Sequence, residues 1–240
     1  MISVFAELEE IDSQRLLSAP DKVAFTAALE AAARQLGFEY SAFGMRMPLP
    51  LSNPKFAMAN NYPAEWQAQY AKENYLAVDP TVAHGIKSVQ PVMWDARADM
   101  SAPEFWEDAR SHGLKIGWAQ SFIGANGAVG MLTLARSNEE ISPAEIRENG
   151  MRMSCLVQIA HQGMAHIMGG PAAHEQPFML SAREIEVLRW SADGKTSGEV
   201  AQIMAISERT VNFHITNALE KLGANNKTAG VVKAALLRLL

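Results

Sequence analysis

Apolar residues recur at helical spacing in the segment DKVAFTAALEAAARQLG. Phe25, Leu29 and Ala32 are three or four residues apart and therefore share one face of a helix. Asp21 can cap the first turn through its carboxylate, and Gly37 is a typical stop after the last turn. The pattern predicts an amphipathic helix between Asp21 and Gly37.

Alternating apolar positions predict β-structure in two later segments. FEYSAFGMR has the period-two pattern of a strand. In GWAQSFIGANGAVGMLTLAR, Asn126 and Gly127 separate two such runs, which is a strong hairpin signal. Ser142, Pro143 and Glu145 then form a capping-box sequence, and a long helix is expected to follow. These elements predict an α+β fold in which an antiparallel sheet lies between helices, an α-β-α sandwich.

Two glycines and two prolines interrupt the helical pattern in MGGPAAHEQP, residues 168–177. Clusters of this kind mark linkers between folded units. We expect a first domain over residues 1–167 and a second over residues 178–240. The chain has 240 residues, which is long enough for two separate cores.

The pattern changes after the predicted linker, where strand signals are absent and N-cap residues recur at short intervals. Ser181 with Glu184, and Thr196 with Glu199, match the capping box, and Ser207 can cap another helix. These starts predict a small all-α domain of four short helices. The two helices on either side of the three-residue turn that ends at Ser207 have the spacing of a helix-turn-helix.

The helix after Ser207 has one apolar face, formed by Val211, Ile215, Ala218 and Leu222. Its opposite face could enter a DNA major groove, where asparagine pairs with adenine and an apolar ring contacts a thymine methyl group. The same pattern also fits a small helical bundle with a solvated face. The candidates for DNA contact are Thr196, Ser197, Arg209, Thr210, Asn212, Phe213, Thr216, Asn217 and Lys227.

Charge and composition narrow the possible functions. The net charge is −5, yet residues 171–240 carry 8 basic and 7 acidic side chains, which is a weak signal for a polyanionic partner. No apolar run reaches the roughly 20 residues of a membrane span, and the acidic N-terminus lacks a secretory signal, so we expect a cytoplasmic protein. His161 and His166 are not spaced for a metal site, and no catalytic motif is present. We therefore expect neither a metal or cofactor nor enzymatic activity.

The segment LSAREIEVLRWSADGKTSGEVAQIMAISERTVNFHITNALEKLGANNKTAG closely resembles the DNA-binding domain of LuxR-type transcription factors. Glu184, Leu188 and Gly194 carry the resemblance, together with the strings GKT and TVNFH. It implies a four-helix domain whose third helix reads DNA and whose last helix contributes to dimerisation. Gly198 departs from the family pattern, since many relatives have tryptophan there.

Four aromatic rings lie close to one carboxylate in the segment YPAEWQAQYAKENYLAVDPTV. Trp66 and Tyr70 are one helical turn apart, and Asp79 is held extended by Pro80. Rings that carry one polar group suit a pocket for an apolar ligand, and a carboxylate there could accept a hydrogen bond from an amide. Alternatively, the rings belong to the core and Asp79 caps the helix that begins near Pro80.

This segment, with FWEDARSHGL and the predicted hairpin, resembles the autoinducer-binding domain of the same family, and residues 38–136 are especially similar to its LasR- and QscR-like members. The resemblance implies that Trp66 donates to the lactone carbonyl of an N-acyl-homoserine lactone and that Asp79 accepts from its amide. Tyr62 and Thr133 correspond to hydroxyls near the acyl carbonyl. The residues implied around the lactone ring are Trp94, Phe105, Ala109 and Leu114. The residues implied along the acyl chain are Tyr70, Val82, Gly44, Met58, Val129 and Met131.

The resemblance predicts a quorum-sensing transcription factor that binds an acyl-homoserine lactone and, as a homodimer, a pseudo-palindromic site in double-stranded DNA. RNA polymerase is a further candidate partner. The alternative is a ligand-independent regulator or anti-activator that acts by heterodimerisation. Small Ala42 and Gly44, with adaptable Met45, Met58 and Met131, favour a medium or long acyl chain.

Overall fold

The computed structural model describes residues 13–169 and 179–240. The chain divides into two compact units: Met1–Arg46, Phe56–Gly124 and Ala128–Gly170 form the first, and Met47–Lys55, Ala125–Gly127 and Pro171–Leu240 form the second. The last helix of the first unit extends to Gly169, so the first two residues of the predicted linker are helical. The rest of that linker, residues 170–177, lies outside the described residues, as do residues 1–12 of the predicted first domain.

The described part of the first unit contains both helices and strands. Its helices are α1 (Ser13–Leu17), α2 (Lys22–Gln35), α3 (Ala64–Lys72), α4 (Pro80–Lys87), α5 (Pro103–Ser111) and α6 (Pro143–Gly169), with a 3-10 helix at Tyr75–Ala77. Its strands are β1 (Tyr40–Arg46), β2 (Phe56–Asn60), β3 (Val92–Asp95), β4 (Ile116–Ile123) and β5 (Val129–Arg136).

The five strands form one antiparallel sheet in the order β2-β1-β5-β4-β3. The predicted β4–β5 hairpin is present, but its loop spans residues 124–128 rather than two residues. Within that loop Gly127 has a φ of 76°, whereas Asn126 does not adopt a positive φ. A two-residue type I′ turn requires positive φ at both positions, so the chain forms a wider loop. The Gly124 N–H closes it by donating to the Ala128 carbonyl at 2.8 Å.

Strand alternation gives the sheet two different faces. Phe43 and Met45 of β1 are fully buried on the face that packs against α2 and α6, and the Phe43 ring lies 6.0 Å from that of Phe25 on α2. Gly44 points to the opposite face, which α4 covers. The expectation that Met45 lines an acyl pocket is therefore wrong, because successive side chains in a strand point to opposite sides.

The predicted helix starts are present, with one change. Asp21 caps α2 by accepting from the Ala24 N–H at 2.9 Å, and Ser142 accepts from the Glu145 N–H at 3.1 Å before α6. The Glu145 carboxylate does not complete the predicted capping box at Ser142. Its two oxygens are held by the buried Arg136 guanidinium, each at 2.9 Å. A pair from another element has replaced the local contact.

In the second unit, the regular secondary structure of the described residues lies within 179–240 and is helical. Its helices are α7 (Ala182–Ala192), α8 (Ser197–Met204), α9 (Glu208–Leu222) and α10 (Lys227–Leu236). Both predicted capping boxes, at Ser181 and Thr196, are complete. Ser207 caps α9 by accepting from the Thr210 N–H at 3.1 Å. Four short helices are thus confirmed.

Candidate functional site

A cavity of about 480 Å³ lies in the first unit, between the sheet and the helices α3, α4 and α5. The fourteen residues that the sequence predicted for ligand binding all lie on its wall: Tyr62, Trp66, Tyr70, Asp79, Trp94, Thr133, Phe105, Ala109, Leu114, Val82, Gly44, Met58, Val129 and Met131. Residues up to 89 positions apart in the chain are therefore gathered around one space. Its size is in the range of small-molecule pockets.

Strand pairing arranges the sheet side of this cavity in three levels, marked on the central strand β5 by Thr133, Met131 and Val129. Their partners on the neighbouring strands are, level by level, Ala42 and Ala119, Gly44 and Ser121, and Arg46 and Ile123. Successive levels are about 7 Å apart, because two strand residues span roughly 2 × 3.4 Å. Each level has one polar side chain, which is Thr133 in the first, Ser121 in the second and Arg46 in the third.

Asp79 is the buried carboxylate of the cavity wall, with 8% of its surface exposed. Its Oδ1 atom caps α4 and accepts from the Thr81 N–H at 2.8 Å and the Thr81 hydroxyl at 2.7 Å. Its Oδ2 atom accepts from the Tyr70 hydroxyl at 3.0 Å. Burial raises the pKa of Asp79, although these hydrogen bonds favour the charged form and oppose the shift. The side chain is a helix cap and a pocket wall at once.

Two tyrosine hydroxyls lie near this carboxylate. Burial and the negative charge of Asp79 raise the pKa of Tyr62 and of Tyr70 well above the ordinary value, so both hydroxyls keep their protons at any physiological pH. The Tyr70 hydroxyl is already committed to Asp79. Neutral phenols at this position can donate to a carbonyl oxygen of a bound molecule.

Aromatic side chains close the end of the cavity beyond Thr133. The Trp66 ring stacks on Tyr75 at 5.8 Å, and Trp94 stacks on Trp106 at 5.2 Å. The indole N–H groups of Trp94 and Trp106 are buried and have no hydrogen-bond partner among the described residues. Buried donors without acceptors are rare in proteins, so this end of the cavity is rich in apolar surface and in unused hydrogen-bonding capacity.

Asp108 of α5 holds this aromatic wall in place. Its Oδ2 atom accepts from the Tyr75 hydroxyl at 2.5 Å and from the Gln69 amide at 3.0 Å, which joins the 3-10 helix and α3 to α5. These two donors are the main reason that the pKa of Asp108 is lowered. Burial and the Asp108 carboxylate raise the pKa of Tyr75 to about 12.

The helix α9 in the second unit presents two contrasting faces. Val211, Ile215, Ala218 and Leu222 are buried, as the spacing predicted. Exposed on the other side are Arg209, Asn212, Thr216 and Phe213, whose side chain is 60% exposed. An exposed aromatic ring on a polar helix face is unusual, and it suits contact with an apolar group of a partner.

The other predicted DNA contacts lie at helix ends or on α9. Thr196 caps α8 and Ser197 is its first residue, so both are next to unpaired backbone N–H groups that can bind phosphate. The Thr210 hydroxyl shares a 2.8 Å hydrogen bond with Ser207. Lys227 begins α10, and its ammonium group donates to the Lys195 carbonyl at 3.2 Å. Asn217 is partly exposed on α9.

An ion pair between the buried Glu184 carboxylate and the exposed Lys221 ammonium fixes α9 against α7. Glu184, only 3% exposed, accepts two hydrogen bonds from the Lys221 ammonium, at 2.9 and 2.8 Å, and one from the Ser181 N–H at 2.7 Å. Burial acts to raise the pKa of Glu184, but these donors outweigh it and the pKa is lowered. The position of the exposed face of α9 is thereby tied to the start of α7.

Comparison with known families agrees with both halves of this geometry. Residues 21–164 match the family described as "Autoinducer binding domain". Residues 179–234 match the family described as "Bacterial regulatory proteins, luxR family". The chain belongs to the LuxR family. It is a quorum-sensing transcriptional regulator with an autoinducer-binding domain followed by a helix-turn-helix DNA-binding domain.

Relatives across the LuxR family align over most of the chain. The transcriptional activator protein AnoR of Acinetobacter nosocomialis is 44% identical over 88% of this chain and 90% of its own. SolR of Ralstonia solanacearum is 42% identical over 90% and 92%. A crystal structure of Escherichia coli SdiA has a TM-score of 0.75 at 33% identity, over 98% of both chains, and SdiA in complex with octanoyl-rac-glycerol has a TM-score of 0.72 at 32% identity, over 97% and 95%. The expected likeness to LasR and QscR is therefore only approximate.

The cavity of this LuxR-family chain also has walls that the sequence reasoning did not assign. Beyond Ala42, which was noted only for its size, they are Arg46, Phe56, Leu76, Thr81, Gly85, Ile86, Trp106, Ser121, Ile123 and Gly130. Simple periodicity could have found some of them. Arg46 is two strand residues beyond Gly44, and Gly85 and Ile86 are three and four helical residues beyond Val82.

Residues 13–169 and 179–240 contain neither a metal-binding cluster nor a helix that could span a membrane. No group of three or more histidine, cysteine or acidic side chains in these ranges is placed to hold a metal ion. No helix in them combines the length and apolar character that crossing a membrane requires. The matching families are regulatory ones.

Proposed function

We propose that this regulator binds an N-acyl-homoserine lactone in the cavity of its first unit and then acts as a homodimer on a pseudo-palindromic DNA site. In this proposal the domains are residues 1–167 for ligand binding and dimerisation and residues 178–240 for DNA binding, joined by a linker at 168–177. The regulator works in the cytoplasm, and RNA polymerase is a further partner at the promoter. The lactone is bound and released without being turned over.

The observation that carries the ligand proposal is that the two carboxylate oxygens of Asp79 have different hydrogen-bond partners. The Oδ1 atom is occupied by the cap of α4, whereas Oδ2 has accepted one hydrogen bond, from Tyr70, and can accept another. An amide N–H is a donor that such a buried carboxylate binds strongly. An N-acyl-homoserine lactone supplies this N–H between a carbonyl for Tyr62 and Thr133 and a ring for the aromatic end.

The remaining cavity walls fit the two ends of such a ligand. Trp66 would donate to the lactone carbonyl, and Trp94, Phe105, Ala109 and Leu114 would enclose the ring. The acyl chain would follow the levels of β5 toward Val129, along Tyr70, Val82, Gly44, Met58 and Met131. Apolar side chains dominate that path, which suits a chain of methylene groups.

A monoacylglycerol is the second candidate ligand. The related SdiA has been solved with octanoyl-rac-glycerol, and a glycerol hydroxyl can also donate to the free lone pair of Asp79. The two candidates differ at the donor, since the amide N–H is fixed next to the acyl carbonyl whereas glycerol hydroxyls rotate. The lactone is preferred because its fixed amide N–H and acyl carbonyl match a cavity wall that carries both an acceptor, Asp79, and hydroxyl donors, Tyr62 and Thr133.

Ligand binding is proposed to control the regulator through folding and dimerisation. A ligand that binds only the folded state stabilises it by about 2.7 kcal/mol at a free concentration of 100 times Kd. In a homodimer, two copies of α9 would lie about 34 Å apart and enter successive major grooves. Asn212, Phe213, Thr216 and Asn217 would then face bases, while Arg209, Thr210, Lys227 and the start of α8 at Thr196 and Ser197 would contact phosphates.

The deciding experiment is to express the full chain in the presence of a mixture of acyl-homoserine lactones and monoacylglycerols and to identify the bound molecule by mass spectrometry. We expect one lactone class to be retained intact, with higher soluble yield and tighter operator binding. Equal yield and equal DNA affinity with and without the mixture would instead favour the ligand-independent alternative. In that case, mixed-partner size-exclusion chromatography would test for heterodimers.

A further inference from the structure

A glycine lies in the last turn of α4, where it lines the cavity. Gly85 lies six residues into a helix of eight, from Pro80 to Lys87. Glycine is less favourable than alanine in a helix interior, because it loses more conformational freedom on folding. The backbone at Gly85 does not require a positive φ. The reason for a glycine here must therefore be space rather than backbone conformation.

The space that a side chain at position 85 would need is occupied by Met131, which lines the cavity. A Cβ atom at this position would lie 2.8 Å from the Met131 sulfur and 3.5 Å from the Ser121 Cβ. The first distance is too short for a carbon–sulfur contact, so a Cβ would displace the thioether. Methionine adapts to such a change by rotating. Across the same level of the sheet Met131 pairs with Gly44, where the Phe56 ring lies 3.4 Å from the position that a Cβ atom would take.

We propose that Gly85 is a specificity-determining residue that, by leaving room for Met131 beside α4, keeps the cavity open to long acyl chains. This inference rests on the proposed acyl ligand and deepens it. With a methyl group at position 85, the Met131 thioether is displaced from α4 into the cavity. The cavity is then narrowed at the Met131 level, while the Thr133 level is left as it is.

The spacing between the levels of β5 indicates how long an acyl chain must be to reach Met131. With C–C bonds of 1.52 Å and angles near 111°, an extended chain advances about 1.3 Å per methylene. The Met131 level is about 7 Å from the Thr133 level, so an acyl chain anchored at Thr133 reaches it after roughly five methylenes. The Val129 level lies roughly eleven methylenes away. Butanoyl chains therefore stop short of the gap that Gly85 maintains, whereas dodecanoyl chains must pass through it.

The test compares full-length wild type with Gly85→Ala, using butanoyl- and dodecanoyl-homoserine lactone as probes and isothermal titration calorimetry to measure each Kd. Gly150→Ala is the matched control, because Gly150 also lies in a helix and its added Cβ would contact only its own helix, at 3.7 Å from Ile146. We expect the affinity ratio of dodecanoyl to butanoyl lactone to fall at least tenfold in Gly85→Ala and to change less than threefold in Gly150→Ala. Adding Met131→Ala to Gly85→Ala is expected to restore most of the ratio.

Three other outcomes would contradict the inference or the proposed ligand. If wild type binds both lactones and the Gly85→Ala ratio stays within threefold of wild type, the inference is wrong and the proposed ligand class stands. If the double variant recovers nothing, the alanine does not act through Met131 and the inference is also wrong. If wild type binds neither lactone, the proposed lactone ligand fails and the inference fails with it.

Discussion

Replacing Asp79 by asparagine separates the two roles of this side chain. Asparagine has nearly the same size, and its oxygen can still accept from the Thr81 N–H that Oδ1 accepts now. Asparagine is about as good an N-cap as aspartate. Its amide nitrogen replaces Oδ2, so a hydrogen-bond donor faces the proposed ligand N–H. The Tyr70 hydroxyl can rotate and accept from the new amide, but the ligand N–H cannot.

The expected loss follows from the strength of the missing contact. A hydrogen bond to a charged group contributes about 1.5–3 kcal/mol, and each 1.4 kcal/mol changes Kd about tenfold. Asp79→Asn should therefore weaken lactone binding roughly 10- to 100-fold. The unliganded protein should change by less than about 1 kcal/mol, since the cap is retained. Asp79→Ala loses the cap as well and should cost about 1 kcal/mol more in stability.

The assay is calorimetric titration of wild type and both variants with the lactone identified by mass spectrometry, with chemical unfolding of each protein in parallel. Undiminished affinity in Asp79→Asn would falsify the assignment of Asp79 as the ligand acceptor and leave it as a cap alone. A loss of affinity matched by an equal loss of stability would also argue against a direct contact.

The pH dependence gives the same prediction an independent check. Burial raises the pKa of Asp79 in the folded state above its value in the unfolded chain. Above the folded-state pKa, the ionised carboxylate therefore lowers the stability of the folded protein. This destabilisation disappears as the pH falls through the folded-state pKa and Asp79 becomes protonated. The ligand N–H needs the ionised form. Lactone affinity of wild type should fall as the pH drops through this raised pKa, and affinity of Asp79→Asn should stay level over the same range.

Three predictions concern the second unit. Asn212→Ala should cost about 1–3 kcal/mol in operator binding and relax the sequence preference at one base. Arg209→Ala should instead reduce the salt dependence of binding by about one phosphate contact and keep the base preference. Competition binding at several salt concentrations distinguishes the two effects. Glu184→Gln should destabilise the folded chain by about 1–2 kcal/mol at neutral pH, because the hydrogen bonds that the carboxylate accepts from the exposed Lys221 ammonium and the Ser181 N–H lose its charge. The pKa of Glu184 is lowered, so wild type should lose this advantage as the pH falls through the folded pKa, and equal urea midpoints at pH 7 would contradict the reasoning. Gly198→Ala should stabilise the folded chain by about 0.5–1 kcal/mol, since the added Cβ meets nothing closer than 3.8 Å. A lower melting temperature of the variant would contradict this expectation.

Features encoded within a few residues were predictable from the sequence. The caps at Asp21, Ser181, Thr196 and Ser207 depend on a side chain and an N–H three residues away, and all four form. The buried face of α9 follows from a single period. The overall fold class could be inferred because such local signals occur in a consistent order along the chain.

Features that depend on distant contacts could not be read in this way. Glu145 has the sequence of a capping box but binds Arg136, nine residues earlier and on a strand. The position of Gly85 against Met131 depends on how closely α4 approaches the sheet, which no local pattern specifies. The hairpin loop is longer than its Asn-Gly pair predicts, since φ at Asn126 is not positive. In each case a tertiary contact or the local backbone overrode a short-range preference.

The helix α4 links the two ends of the proposed ligand. Asp79 caps its first turn and lines the cavity, and Gly85 in its last turn lies against Met131, whose level is about 7 Å from that of Thr133 along β5. Asp79 is therefore both the cap of α4 and part of the pocket wall, two roles that were first considered as alternatives. Capping holds Oδ1 in place and thereby orients Oδ2 toward the cavity. In Gly85→Ala, a long acyl chain that meets the displaced Met131 cannot bring its amide to Asp79, whereas a short chain still can. Acyl-chain length and amide binding should for this reason be coupled, so that Gly85→Ala weakens the effect of Asp79→Asn for long-chain lactones but not for short ones.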